Sequence, residues 1–363
     1  MERTIITPTQ FFSLMLLFLT GTTIIVGLNF TALQDSGFAV LFEMAAGTFM
    51  FYFYMYLSEK RGWQNLGGIL TQAYGKTTAK VIILLYSLYF LYIAGRVTTD
   101  FSFFVTHIIF QDTPPWVIMI PFLMVIGYST VLGIEAVARS AEILVFFTIM
   151  LLVMLWGLGF FSEEFDPIYL LPLFDQDWSV LLSMIFPTGI SFPYGELIVF
   201  TALFSLVKHK KTVKRCAWVP ISAAGCIIII TMELVIGILH APMAEQYFFP
   251  FAKAMELVTY FSFIEHLEIF TTLLLLSGVF IKVFIFAYAA YNLFKETFPV
   301  KKTKLWHSFL LIFLIAGMSM IASENLIQHL QIGLKVVPYA LHIPFQFGIP
   351  ILTALVLMVK PQR

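Results

Sequence analysis

Charge is what this chain has least of. Across 363 residues only 12% are Asp, Glu, Lys or Arg, where a soluble globular protein carries ~25%. With 60% hydrophobic residues and a mean hydropathy of +0.92, that deficit excludes a soluble fold and leaves an integral membrane protein. Net charge is zero, which removes the electrostatic case for nucleic acid. Cysteine is nearly missing too: Cys216 and Cys226 fall within or beside one apolar span, giving no disulfide framework and no metal site. No two histidines show metal-ligand spacing. No Ser/His/Asp or paired-carboxylate set can be placed in one pocket, and no Gly-rich nucleotide motif is present. Neither cofactor, metal nor enzymatic activity is therefore expected. The head, Met1-Glu2-Arg3-Thr4, lacks the net positive charge of a signal peptide, and no Ala-x-Ala-like cleavage site follows.

What is there is a series of apolar runs long enough to cross roughly 30 Å of hydrocarbon. Ten are expected, at 9–30, 37–57, 80–106, 115–133, 140–161, 179–205, 217–239, 266–294, 307–322 and 337–359, forming one membrane domain over 1–363. An extra surface helix is expected within 247–265. With the N-terminus placed in the cytoplasm, all but four of the 21 Lys and Arg fall on the inner side. Lys253 and Lys335 fall outside, and Arg96 and Lys282 lie within spans. This asymmetry sets the orientation with both termini cytoplasmic. The outer loop 162–178 holds Glu163, Glu164, Asp166, Asp175 and Asp177; it reads as a solvated loop, or as a lure for cations.

The sixth run contains Pro187-Thr188-Gly189-Ile190-Ser191-Phe192-Pro193-Tyr194-Gly195-Glu196. Two prolines remove backbone donors, two glycines loosen the chain and a carboxylate follows. In lipid, freed backbone groups and a charge are tolerated only where protein or a water-filled cavity surrounds them. The first run has a weaker break, Gly21-Thr22-Thr23-Ile24-Ile25-Val26-Gly27. Interrupted spans in corresponding halves of a chain point to a transporter-type binding site. Thr22, Thr23, Thr188 and Ser191 supply hydroxyls beside the breaks, and a half-helix N-terminus attracts an anion such as an amino-acid carboxylate.

Intramembrane charges are the other candidates. Glu196 reads as ligand contact, proton carrier or brace. Arg96 and Asp100, four apart, share a helix face and can neutralise each other as a structural pair. Glu43 and Glu233 have no partner on their own helices; they mark a proton pathway or reach toward an interface. Lys282 either occupies the place a sodium ion fills in sodium-coupled carriers or pairs with a carboxylate elsewhere. His107, His240 and His342 read as ordinary polar groups near span ends.

At this point the chain resembles the B subunits of spore germinant receptors. Phe192-Pro193-Tyr194-Gly195-Glu196 is similar to their FPFGE-type signature. Phe263-Ile264-Glu265-His266-Leu267-Glu268 resembles their F-I-E-R-x-E motif, and Tyr288-Ala289-Ala290-Tyr291-Asn292-Leu293-Phe294-Lys295 resembles the end of their eighth span. The resemblance implies an all-α polytopic membrane protein of LeuT-like fold. Its repeats, 1–161 and 179–363, would form a 5+5 inverted pair with helices 1 and 6 broken. It implies a pocket between spans 1, 3, 6 and 8, carrying Gly21 to Gly27, Gly189, Ser191, Phe192, Gly195 and Glu196. It also implies the spore inner membrane, a larger membrane A subunit, a lipoprotein C subunit, and a small germinant, in many members an amino acid.

Two departures stand out. Leu28-Asn29 occupies the place of a Leu-Pro pair, and His266 stands where an arginine is usual. If that arginine braces the eighth span against an acidic partner, His266 does so only when protonated. The leading reading is a ligand-sensing receptor subunit for a neutral amino acid; the alternative is a proton- or sodium-coupled amino-acid carrier.

Overall fold

The computed structural model describes residues 5–27, 30–260, 266–298, 305–322 and 325–359. Among them the regular structure is helical, joined by turns and loops, with an isolated bridge between Ile6 and Val207. The helices are α1 (Pro8–Thr20), α2 (Ser36–Glu59), α3 (Leu66–Ile108), α4 (Pro115–Leu132), α5 (Ile134–Phe160), α6 (Trp178–Met184) and α7 (Lys210–Cys216). Then follow α8 (Trp218–Leu239), α9 (Ala241–Ala244), α10 (Pro250–Leu257), α11 (Glu268–Thr297), α12 (Leu305–Ala322), α13 (Leu326–Gln331) and α14 (Ile349–Val359). With no water in hydrocarbon to satisfy the backbone, a chain this apolar must close its hydrogen bonds within each segment.

Eight of these segments are long and apolar enough to cross a membrane, and nine if the bent pair Trp306–Ile321 and Leu326–Val336 counts as one. The expected first span is the shortfall. Its helix, α1, has 13 residues, ~20 Å at helical rise. It starts sharply: Thr7 caps it with a Gln10 capping box, and Pro8 occupies the first turn. It stops at Thr20, and 21–27 runs on as irregular turns.

The third span is longer than its apolar run, starting at Leu66 rather than near 80. Gly75, at φ +79°, breaks the helical geometry after the buried entry turns, and Lys76 and Lys80 just beyond it are exposed. Only glycine adopts that φ cheaply. The expected surface helix within 247–265 is the short α10, and Phe251, Ala252, Ala254 and Met255 on it are fully buried. It plugs into the bundle instead of lying on it.

The core is built on α3 and α11, which pack along one another, with α1 crossing α5, α8 and α11. Small residues set the closest approach. A Cβ at Gly21 would lie 2.9 Å from the carbonyl carbon of Gly278, and one at Gly278 would overlap the Gly21 Cα. Backbones this near require glycine on both sides, the packing mode available to helices in lipid. Gly278 and Lys282 share one face of α11. The Gly21–Gly278 contact therefore delivers Thr22 to Lys282.

The sixth span is not a continuous α-helix. α6 ends at Met184, Phe186 (φ −122°, ψ 132°) and Phe192 (φ −126°, ψ 119°) are extended, and tighter 3₁₀ turns run from Gly195 to Ala202. Pro187 and Pro193 follow the two extended residues, as proline disfavours helical geometry in the residue before it. The last span is also irregular, with wide π-turns over Pro338–Gly348 before α14.

Candidate functional site

The two interruptions face each other across Lys282. Its Nζ lies 2.7 Å from Glu196 Oε2, and neither side chain is more than 2% exposed. The same ammonium donates to Thr22 Oγ1 at 3.3 Å. It also lies 4.2 Å from the ring centre of Phe192 and 5.2 Å from that of Phe18. One cation on the unbroken α11 thus touches helix one at its break and helix six at its break. Burying such a pair is costly, and removing one partner costs more than removing both. Of the two alternatives for Lys282, pairing with a distant carboxylate describes its contacts.

Beside this pair is a cavity of about 60 Å³, the liquid share of about two waters. Val26, Arg96, Asp100, Thr188, Phe192, Glu196 and His342 line it, with apolar residues of α3 and the Leu330–Val337 stretch. Its walls are spans one, three and six and the segment leading into the last span. The segment after α12 stands where the resemblance implied span eight, which contributes through Lys282 behind Glu196.

Arg96 and Asp100 reach this cavity, yet they are not the ion pair their spacing suggested. Asp100 Oδ1 meets His329 Nε2 at 2.7 Å, and Arg96 Nη2 donates to the His329 carbonyl at 2.6 Å. His329, fully buried on α13, intervenes because i, i+4 spacing permits a pair but does not compel one. Gly333 leaves room for the guanidinium, since a Cβ there would overlap Arg96 Nη2.

The remaining candidates divide between contacts. Thr188 Oγ1 donates to the Leu334 carbonyl at 3.2 Å, and Ser191 Oγ is buried without a hydrogen-bond partner. Thr23 bonds back to the Leu19 carbonyl at 2.8 Å. Thr23, Gly27, Glu43 and Tyr194 line a second, smaller cavity of about 10 Å³. The Glu43 carboxylate lies hard against Gly189, where any side chain would overlap it. Gly195 likewise abuts Gln346 Oε1. Glu233 is set against Gly37 near the start of α2, a Cβ there falling 2.6 Å from its Oε1. His266, largely exposed, meets Glu268 at 3.0 Å. Glu265 lies outside the described residues, as do Leu28-Asn29 and the first half of the Phe263–Glu268 motif.

Sequence reasoning missed the polar girder behind the site. Tyr89 OH contacts His342 Nδ1 at 2.8 Å and accepts from Gln346 Nε2 at 3.0 Å. Tyr54 OH and Tyr86 OH donate to the carbonyls of Gln346 and Phe345, at 2.8 and 2.6 Å. Asp35, also missed, accepts from the backbone N–H groups of Phe174 (2.6 Å) and Gln176 (3.0 Å), pinning the 162–178 loop.

Sequence comparison places the chain among spore germination proteins. It is 30% identical over 369 aligned residues to spore germination protein KB of Bacillus subtilis (strain 168), covering 100% of this chain and 97% of that protein. It is 28% identical to spore germination protein A2 of the same organism over 257 residues, 69% of each chain. A model of the spore germination protein (spore permease) family matches residues 5–326. The chain, an integral membrane protein, belongs to the spore germination permease family.

Proposed function

We propose that this chain is the ligand-sensing membrane subunit of a spore germinant receptor. A small germinant, of the size of a neutral amino acid, binds in the cavity between the breaks of helices one and six. Binding shifts the packing of the broken helices against α3 and α11, and partner subunits read that shift. The observation that carries the reading is the buried Lys282–Glu196 pair at 2.7 Å, with Thr22 on the same ammonium. A solute beside it alters the environment of one charge shared by three helices.

On this reading α1 with its turn makes the tenth span, and the halves 1–161 and 179–363 form a LeuT-like inverted repeat. Both termini face the cytoplasm, the membrane is the spore inner membrane, and a larger membrane A subunit and a lipoprotein C subunit are the partners. An amino-acid carrier is the second reading. It is favoured by one observation, that Lys282 sets an ammonium between the two breaks where a coupling cation could act.

The test is a germinant panel on spores that keep only this receptor system, with and without the chain, beside uptake of labelled amino acids by vesicles holding the chain alone. Germination that needs the chain, with no net uptake, supports the sensor. Uptake without a germination defect overturns it in favour of the carrier.

A further inference from the structure

Around the cavity, Lys282 Nζ lies 2.7 Å from Glu196 Oε2, and Asp100 Oδ1 lies 2.7 Å from His329 Nε2. Arg96 is 6% exposed, and among the described residues no carboxylate lies within ion-pair distance of it. Its Nη2 is spent on the His329 carbonyl, and its Nη1 is buried with no acceptor at all. A buried charged donor without a partner is costly. Guanidinium presents donors in a fixed fork suited to a planar carboxylate. Arg96 also lines the cavity, and Gly333 keeps that side of it clear.

From this we infer that the germinant carries a carboxylate and that Arg96 is the residue that selects it. The inference rests on the sensor reading and deepens it. The ligand supplies the acceptor Arg96 lacks, so the site favours small carboxylates over neutral solutes of equal size. The anchor is a side chain of α3, and the backbone breaks of helices one and six shape the cavity around it. Ligands that lack a carboxylate, such as sugars or amino-acid amides, leave Nη1 unsatisfied and bind weakly for that reason.

The experiment uses spores holding this receptor system with the full chain. Glycine and L-alanine are compared with glycinamide, L-alaninamide and D-glucose, with chloride and phosphate varied separately. The expected result is germination with the amino acids at concentrations at least about tenfold lower than with their amides, ~1.4 kcal/mol of discrimination. Arg96→Gln removes that preference at unchanged membrane abundance, and Arg96→Lys restores part of it. An equal response to amides or glucose overturns the inference while leaving the sensor reading intact, as does a response governed by chloride or phosphate alone. Failure of every probe in spores with the wild-type chain strikes the sensor reading itself. If Arg96→Gln does not reach the membrane, the comparison of ligands on the wild-type chain decides the matter.

Discussion

Lys282 and Glu196 meet at 2.7 Å with both side chains sealed from solvent. One stands on an unbroken helix, the other just past a break. Taking either partner away strands the other's charge, which costs about 3–5 kcal/mol. Glu196→Ala and Lys282→Ala should each lower the unfolding temperature of the detergent-purified chain. The double replacement Glu196→Ala/Lys282→Ala should cost clearly less than the sum of the single changes. Additive losses would show that the two groups are not coupled.

The Gly21–Gly278 contact predicts a sharp dependence on side-chain size. Gly278→Leu forces α1 away from α11 and should cost at least about 1–3 kcal/mol, read as loss of folded protein in the membrane. Gly157→Ala and Gly317→Ala, where a Cβ meets nothing within 4 Å, should leave abundance unchanged.

Gly195 faces Gln346 Oε1, the end of a flexible side chain. Gly195→Ala should therefore weaken the germinant response while the protein still assembles. Gln346→Ala in the same chain removes the overlapping atom and should recover part of the response. No recovery would mean that Gly195 acts through its backbone instead.

Asp35 binds the outer loop through two backbone donors. Hydrogen bonds to a charged acceptor contribute about 1.5–3 kcal/mol each. Asp35→Ala should expose the loop, speeding chymotryptic cleavage after Phe174 from the outer side with little change in helix content by circular dichroism.

Much of the site was legible from local chemistry. Pro187, Gly189, Pro193 and Gly195 announce a broken sixth span because each disturbs the helical ladder directly, and the extended Phe186 and Phe192 sit beside the prolines. Lys282's partner was not legible, because only tertiary folding brings α11 to the sixth span. Arg96 and Asp100 misled for a related reason: their spacing offered a pair, but the fold supplied His329 from an unexpected helix. A signal for that helix existed. Asn325 with Gln328 three residues on is a helix-start pattern, and Asn325 does cap α13. The short first helix was over-read because an apolar run states only that residues are buried in lipid or protein, not that they stay helical.

The most direct measurement is the germinant dose response of spores whose chain carries Glu196→Gln, at membrane abundance equal to wild type. The account predicts that the half-maximal concentration rises at least about tenfold, ~1.4 kcal/mol, because the charge tying the two broken helices to Lys282 is gone. A curve that overlays wild type would contradict it.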